Sequence, residues 1–206
     1  DVVSAMQVQR GLGASKLAIS SVGGTINVLT KSTELTKGGK IAATVGNDGY
    51  MKTVMSYNTG EMEGGSALSF LFSRVEGDGY VNGTSFEGYN YFLGYGWESD
   101  DDKHNVQVIV TGAPQTHNQR TSSFYNMADA GDYEQYGIRY NYNHGYLNGQ
   151  EFNWRRNFYH KPIASVNWEY EINSTTNLSA SAYYSVGRGG GTGDIGRLGG
   201  NYASSS

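Results

Sequence analysis

The chain has 206 residues with a formal net charge of -4, no cysteine, 30 glycines, 17 tyrosines and only 2 prolines. The charge excludes a basic nucleic-acid footprint, and the missing cysteines exclude disulfides and thiolate metal sites. No apolar run reaches the length of a transmembrane helix, while abundant Tyr, Ser, Thr and Asn beside scarce Leu and Ile favour strands whose two faces meet different surroundings.

In chain order, "MQVQRGLGASKLAISSVGGTINVLTKST" comes first. Its glycines punctuate one short strand, "TINVLT", with Ile26 and Val28 on one face. From Gly39 onward the periodicity is two. "KIAATVG" places Ile41, Ala43 and Val45 together, and "YMKTVMSYN" reads as a further strand with weaker alternation. "SALSFLFSRV" sets Leu68, Phe70 and Phe72 against Ser69 and Ser73. "YNYFLGYGWE" alternates rings and Leu93 with Asn90, Phe92, Gly94 and Gly96. "NVQVIV", "IASVNWEYEI" and "NLSASAYYSV" follow the same rule, the last with Ala180, Ala182 and Tyr184 opposite Ser179 and Ser181. This makes about seven strands of about nine to eleven residues, and no segment after Gly39 carries a helical period.

The connections alternate. "NDG" is a tight turn. After it, short links ("TGEMEGG", "SDDDKH", "NSTTN") alternate with long ones ("EGDGYVNGTSFEG", roughly Gln115 to Lys161, and a glycine-rich stretch from Gly187). Short turns at one end and long loops at the other are the pattern of an all-β transmembrane antiparallel barrel. A soluble β-sandwich also alternates, but its core-facing positions are aliphatic and its loops rarely alternate in length.

The first segment resembles the end of the plug domain of TonB-dependent outer-membrane receptors. The residues that carry the resemblance are Arg10, Gly11, Gly23, Gly24, Thr25, Ile26, Asn27, Val28, Thr30 and Lys31. "YHKPIASVNWEYEINSTTNLSASAYYSVGRGGGTG" is similar to barrel segments of the same family. The resemblance implies residues 1–36 as the C-terminal end of a plug and residues 37–206 as the first strands and extracellular loops of a barrel of about 22 strands. The text then reads as a piece of a longer chain. It implies an outer-membrane location in a Gram-negative cell, and as partners the membrane's lipids and lipopolysaccharide, a periplasmic TonB-type coupler and an extracellular ligand. Arg10 would either latch the plug to barrel carboxylates or be an ordinary lumenal charge.

Enzymatic chemistry finds no constellation, so no catalytic residue is assigned, and no cofactor or metal is expected. The 4 histidines lack metal-ligand spacing. Asp100, Asp101 and Asp102 read as a solvated turn rather than a calcium loop. The G-x-G-x-x-G match from Gly191 to Gly196 precedes no helical pattern and reads as a loop. The long segment is the most informative. Arg120, Tyr125, Tyr133, Tyr136, Tyr140, Tyr142, Trp154, Arg155 and Arg156 are its candidate ligand-binding residues, since rings and arginines anchor recognition surfaces. Alternatively its rings pack on one another or on neighbouring loops.

Two functions follow as expectations. One is energy-coupled uptake of a large scarce solute such as a siderophore, metal chelate or peptide. The other is a plugged barrel that binds at the surface and docks a partner lipoprotein without active transport.

Overall fold

The computed structural model describes residues 5–10, 24–29, 32–120, 129–193, 197–198 and 201–202. Strands β1 (Ala5–Arg10) and β2 (Gly24–Leu29) form an antiparallel pair of their own, and β2 falls on the strand expected at "TINVLT". A single 3-10 turn, Ser32–Glu34, then leads into the main sheet. Its strands are β3 (Gly38–Val45), β4 (Met51–Met62), β5 (Ser66–Gly77), β6 (Phe86–Glu98), β7 (His104–Gly112) and β8 (Gln115–Asn118). Beyond them come α1 (Ala130–Tyr136), the hairpin β9 (His144–Leu147) and β10 (Gln150–Asn153), then β11 (Arg156–His160), β12 (Ile163–Asn173), β13 (Thr176–Ser185) and β14 (Arg188–Gly191). β15 (Arg197–Leu198) and β16 (Asn201–Tyr202) make a short separate pair.

The sheet order β13-β12-β7-β6-β5-β4-β3 is one antiparallel meander, as the alternation and the short turns predict. The "NDG" turn takes its expected form. Asp48 and Gly49 both have positive φ, 55° and 68°, and the Gly46 N–H donates to the Tyr50 carbonyl. Two positive-φ residues in sequence match the right-handed twist of the strands they join.

Four features differ from expectation. Pro114 and Pro162 interrupt adjacent strands at the same height, but the register passes through both breaks: Ile163 faces Thr111 and Tyr159 faces Gln115 on one diagonal. β8 therefore continues β7, and β11 leads into β12. The connection proper is residues 119–155, shorter than Gln115 to Lys161. The glycine-rich stretch likewise begins as wall, because β14 pairs with β11, and Gly191 of the G-x-G-x-x-G match is a strand residue. Strands of 12 and 13 residues, longer than expected, project beyond the length that crosses hydrocarbon. The fourth is α1, which is polar and seven residues long. It lacks an apolar stripe and is set instead by a capping box, in which Asp129 accepts from the Asp132 N–H and Asp132 accepts from the Asp129 N–H.

The burial is inverted relative to a soluble sheet. Cross-strand partners build an outward apolar row, Tyr57–Phe70–Leu93–Val110–Ala164–Tyr184. Within it Leu93 is 54% exposed, and Phe72 beside it is 44% exposed. The opposite face carries Ser69 and Ser73, 1% and 4% exposed, with Ser56 and Gln107 also buried. Among the described residues Ala67 is the only buried hydrophobic. Water disfavours such an arrangement and a lipid exterior favours it. Rings flank the apolar band. At the short-turn end His104 stacks on Tyr170 at 4.3 Å and accepts at Nδ1 from Trp168 Nε1. At the long-loop end the Tyr91 hydroxyl lies 3.0 Å from His160 Nε2.

Candidate functional site: a loop cap and a lumenal seat

Three connections meet at the long-loop end. They are residues 46–50, 78–85 and 119–155. Arg139 binds them together: its Nη1 lies 2.6 Å from Asp48 Oδ1, its guanidinium sits over the Tyr80 ring at 4.7 Å, and its carbonyl accepts from the Asn82 N–H. Asn141, Asn143 and Asn153 are buried beneath. Their amides satisfy loop carbonyls that no ladder reaches: Asn141 donates to Asn82 O, Asn143 to Gln119 O, and Asn153 to Gly83 O. A loop wired this way carries its own polar core, in which these carbonyls find side-chain partners. Gly83, at φ 66°, lies so close to His144 that a Cβ there would overlap its ring.

Between these loops lies a cavity of about 510 Å³. Asp48, Asp78, Asn118, Arg139, His144 and Glu151 supply its polar lining. His144 Nε2 lies 2.8 Å from Glu151 Oε1. Donors and acceptors of both charges in one recess suit a polar, hydrogen-bonding solute. The same connection exposes rings: Tyr136, Tyr142 and Tyr146 are more than half exposed, and Tyr146 also lines the cavity.

The sequence-predicted residues divide into groups. Arg120 lies over the Tyr133 ring at 5.6 Å, and Tyr136 stacks on Tyr140 at 4.8 Å, so part of the aromatic set packs within the cap. Burial, and then the neighbouring Asp132 carboxylate, push the Tyr140 phenol above its ordinary pKa. Tyr142 is exposed. Trp154 meets Phe152 edge-on. Arg155 lies beside Gly193, and Arg156 belongs to the wall strand β11 rather than to the loop. Tyr125, Gly11 and Gly23 lie outside the described residues. Arg10 ends β1, opposite Gly24, and Thr25, Ile26 and Asn27 lie in β2. Asp48, Asp78, His144 and Glu151 were missed. Asp48 and Asp78 stand in connections that read as plain links, His144 and Glu151 in the long segment where rings and arginines drew the attention, and only the folded chain brings the four together.

A second constellation lies on the lumenal face. The turn at Ser32–Glu34 rests on β4, β5 and β6. The Ser32 N–H donates to Gln107 Oε1 at 3.2 Å, and Thr33 Oγ1 donates to Glu98 Oε1 at 2.9 Å. Asn105 also donates to that carboxylate oxygen. Gly94 and Gly96 make the seat: a Cβ on Gly94 would stand 2.6 Å from Ser32 Oγ, and one on Gly96 would stand 3.0 Å from Thr33 Cγ2. The glycines that alternate with tyrosines in "YFLGYGWE" therefore admit a chain against the wall from inside.

At the opposite turn Asp101 accepts from Ser99 Oγ and the Lys103 N–H, and these bonds hold its carboxyl below the usual range. No acidic or histidine cluster suited to a metal occurs among the described residues.

No protein-family model matches the chain, and no curated protein matches it. A solved structure does: the ferric-catecholate import receptor Fiu from E. coli K12, in its open form, superposes with a TM-score of 0.64 at 14% identity over 89% of this chain. The likeness shows the fold: a partial antiparallel β-barrel like that of this TonB-dependent receptor. This chain spans 28% of that receptor's length. The partial antiparallel barrel read from the alternating strands is thus matched by a receptor wall, at an identity too low to speak to ligand.

Proposed function

We propose that the chain forms the plug end and first barrel strands of an outer-membrane receptor that imports a large scarce solute by energy coupling, with residues 1–36 on the plug side. The observation that carries this reading is the seat of Ser32–Glu34 on the lumenal wall at Gly94, Gln107 and Glu98, near the short-turn end, where a plug would leave the lumen for the first wall strand. A segment seated there belongs inside the barrel. The cap at the other end, with its polar cavity and exposed rings, is then the capture surface, and the short turns are periplasmic. A siderophore, another metal chelate or a peptide fits this chemistry. A TonB-type coupler would supply the energy by pulling the plug.

The test is uptake of labelled ferric chelates by cells carrying the full-length protein, with and without the coupler. Uptake lost with the coupler supports the reading. Ligand retained at the surface but never internalised, coupler or not, favours a surface binding protein docked to a lipoprotein.

A further inference from the structure

Above the apolar row the outward face of the wall changes character. Register carries the change across five strands. On β5, Phe72 gives way to Arg74 and Glu76, and on β6, Tyr91 gives way to Tyr89 and Glu87. The same diagonals bring Thr116 of β8, Phe158 and His160 of β11, and Arg188 of β14 to that face. Two adjoining grooves of about 400 and 370 Å³ run here and share Glu87 and Thr116. The first has Tyr89, Pro114 and Phe158 along it, with His160 and Arg188 at its rim. The second holds Arg74 and Arg156.

The charges are not equivalent. Arg74 is engaged: it donates to Glu87 from Nε at 3.0 Å and from Nη2 at 2.7 Å, and to Glu76 at 2.7 Å. Tyr89 donates to the same Glu87 oxygen at 2.6 Å. Both carboxylates of the patch are thereby occupied. The exposed guanidinia of Arg156 and Arg188 have no side-chain partner among the described residues. The groove thus offers two open cationic forks above a ring-lined floor, immediately beyond the apolar band.

We propose that this groove binds the phosphate-bearing headgroup of a membrane lipid, with Arg156 and Arg188 on phosphate oxygens and Phe158 and Tyr89 against its apolar part. The inference rests on the membrane-barrel reading above. Guanidinium forks match phosphate oxygens in shape and charge. The height of the site, where apolar wall yields to polar wall, is that of headgroups. A solute crossing the lumen never meets this face.

The test uses the full-length protein reconstituted in phosphatidylcholine vesicles with or without bisphosphorylated lipid A, and reads lipid A retained per protein. Arg156→Gln/Arg188→Gln is expected to lower retention about thirtyfold. Arg139→Gln on the cap should leave it unchanged. Retention equal to native in the double variant overturns the proposal. So does full displacement of lipid A by inorganic phosphate, which would make this a free-anion site. Insertion is scored separately by protease shaving and heat-modifiability: a protein that does not insert refutes the barrel reading itself, whereas an inserted protein without lipid retention refutes only the site.

Discussion

Arg139 and Asp48 stand 2.6 Å apart although 91 residues separate them in the chain. The pair joins the tight first turn to the long third connection, and the Tyr80 ring under the guanidinium adds the second. Three loops with separate roots in the wall are thereby tied into one cap.

Arg139→Ala should release the cap without unfolding the barrel. The pair is half exposed on the arginine side, so its loss costs no more than about 1 kcal/mol of stability. Limited proteolysis is expected to cut within residues 119–155 several times faster than in the native protein. Heat-modifiability should be unchanged. An unaltered cleavage rate would show that Arg139 does not hold the loops.

The lumenal seat predicts a different response. Gly94→Val places a side chain where Ser32 Oγ sits, 2.6 Å from the added Cβ. The turn should lift from the wall while the outward face stays intact. A Thr33→Cys reporter is expected to react with a small thiol reagent faster in the Gly94→Val background. Equal reactivity would mean that the turn is not seated there.

The outward row predicts a lipid response. Phe70→Arg, between Tyr57 and Leu93, should destabilise the inserted barrel by roughly 2–4 kcal/mol near the midplane. Folding titrations into vesicles measure it. A fully stable variant would contradict the assignment of that face to lipid.

Asp101 gives a pH signature. The Ser99 hydroxyl and then the Lys103 N–H hold its folded pKa below the ordinary value of 3.8. A depressed carboxyl stabilises the turn at neutral pH and loses that contribution as pH falls from its unfolded value through its folded one. Protection of the Lys103 amide, corrected for intrinsic exchange, should decline across that acidic window. Asp101→Asn should remove the dependence; a variant that keeps it would assign the titration elsewhere.

The strand path was legible because alternation has a period of two and the "NDG" turn has its own chemistry. Leu68, Phe70 and Phe72 opposite Ser69 and Ser73 already define two faces. The ends of the wall were not legible. Pro114 and Pro162 look like strand stops in a linear reading, yet they lie side by side, where the ladder steps past both: Tyr89 N–H still donates to the Pro114 carbonyl. The candidate site was half legible. Rings and arginines mark the long connection by composition, but Arg156 lies on the wall and Tyr136 stacks within the cap. Asp48 and His144 became site residues only through contacts that no local pattern encodes. An excision of residues 124–158, reasonable for a plain loop, would cut through β9, β10 and part of β11. Replacing the exposed Tyr136, Tyr142 and Tyr146 with serine is the cleaner probe, expected to reduce solute capture and spare assembly.

In the proposed topology the loop cap faces the outside of the cell and the short turns face the periplasm. Asn148, at φ 53° in the β9–β10 turn, and Gly64, in the β4–β5 turn, mark the two ends. Single cysteines at these positions in the full-length protein, labelled in intact cells by a membrane-impermeant maleimide, test it most directly. Asn148→Cys is expected to label in intact cells and Gly64→Cys only after the outer membrane is opened. Labelling of Gly64→Cys in intact cells, with Asn148→Cys protected, would contradict it.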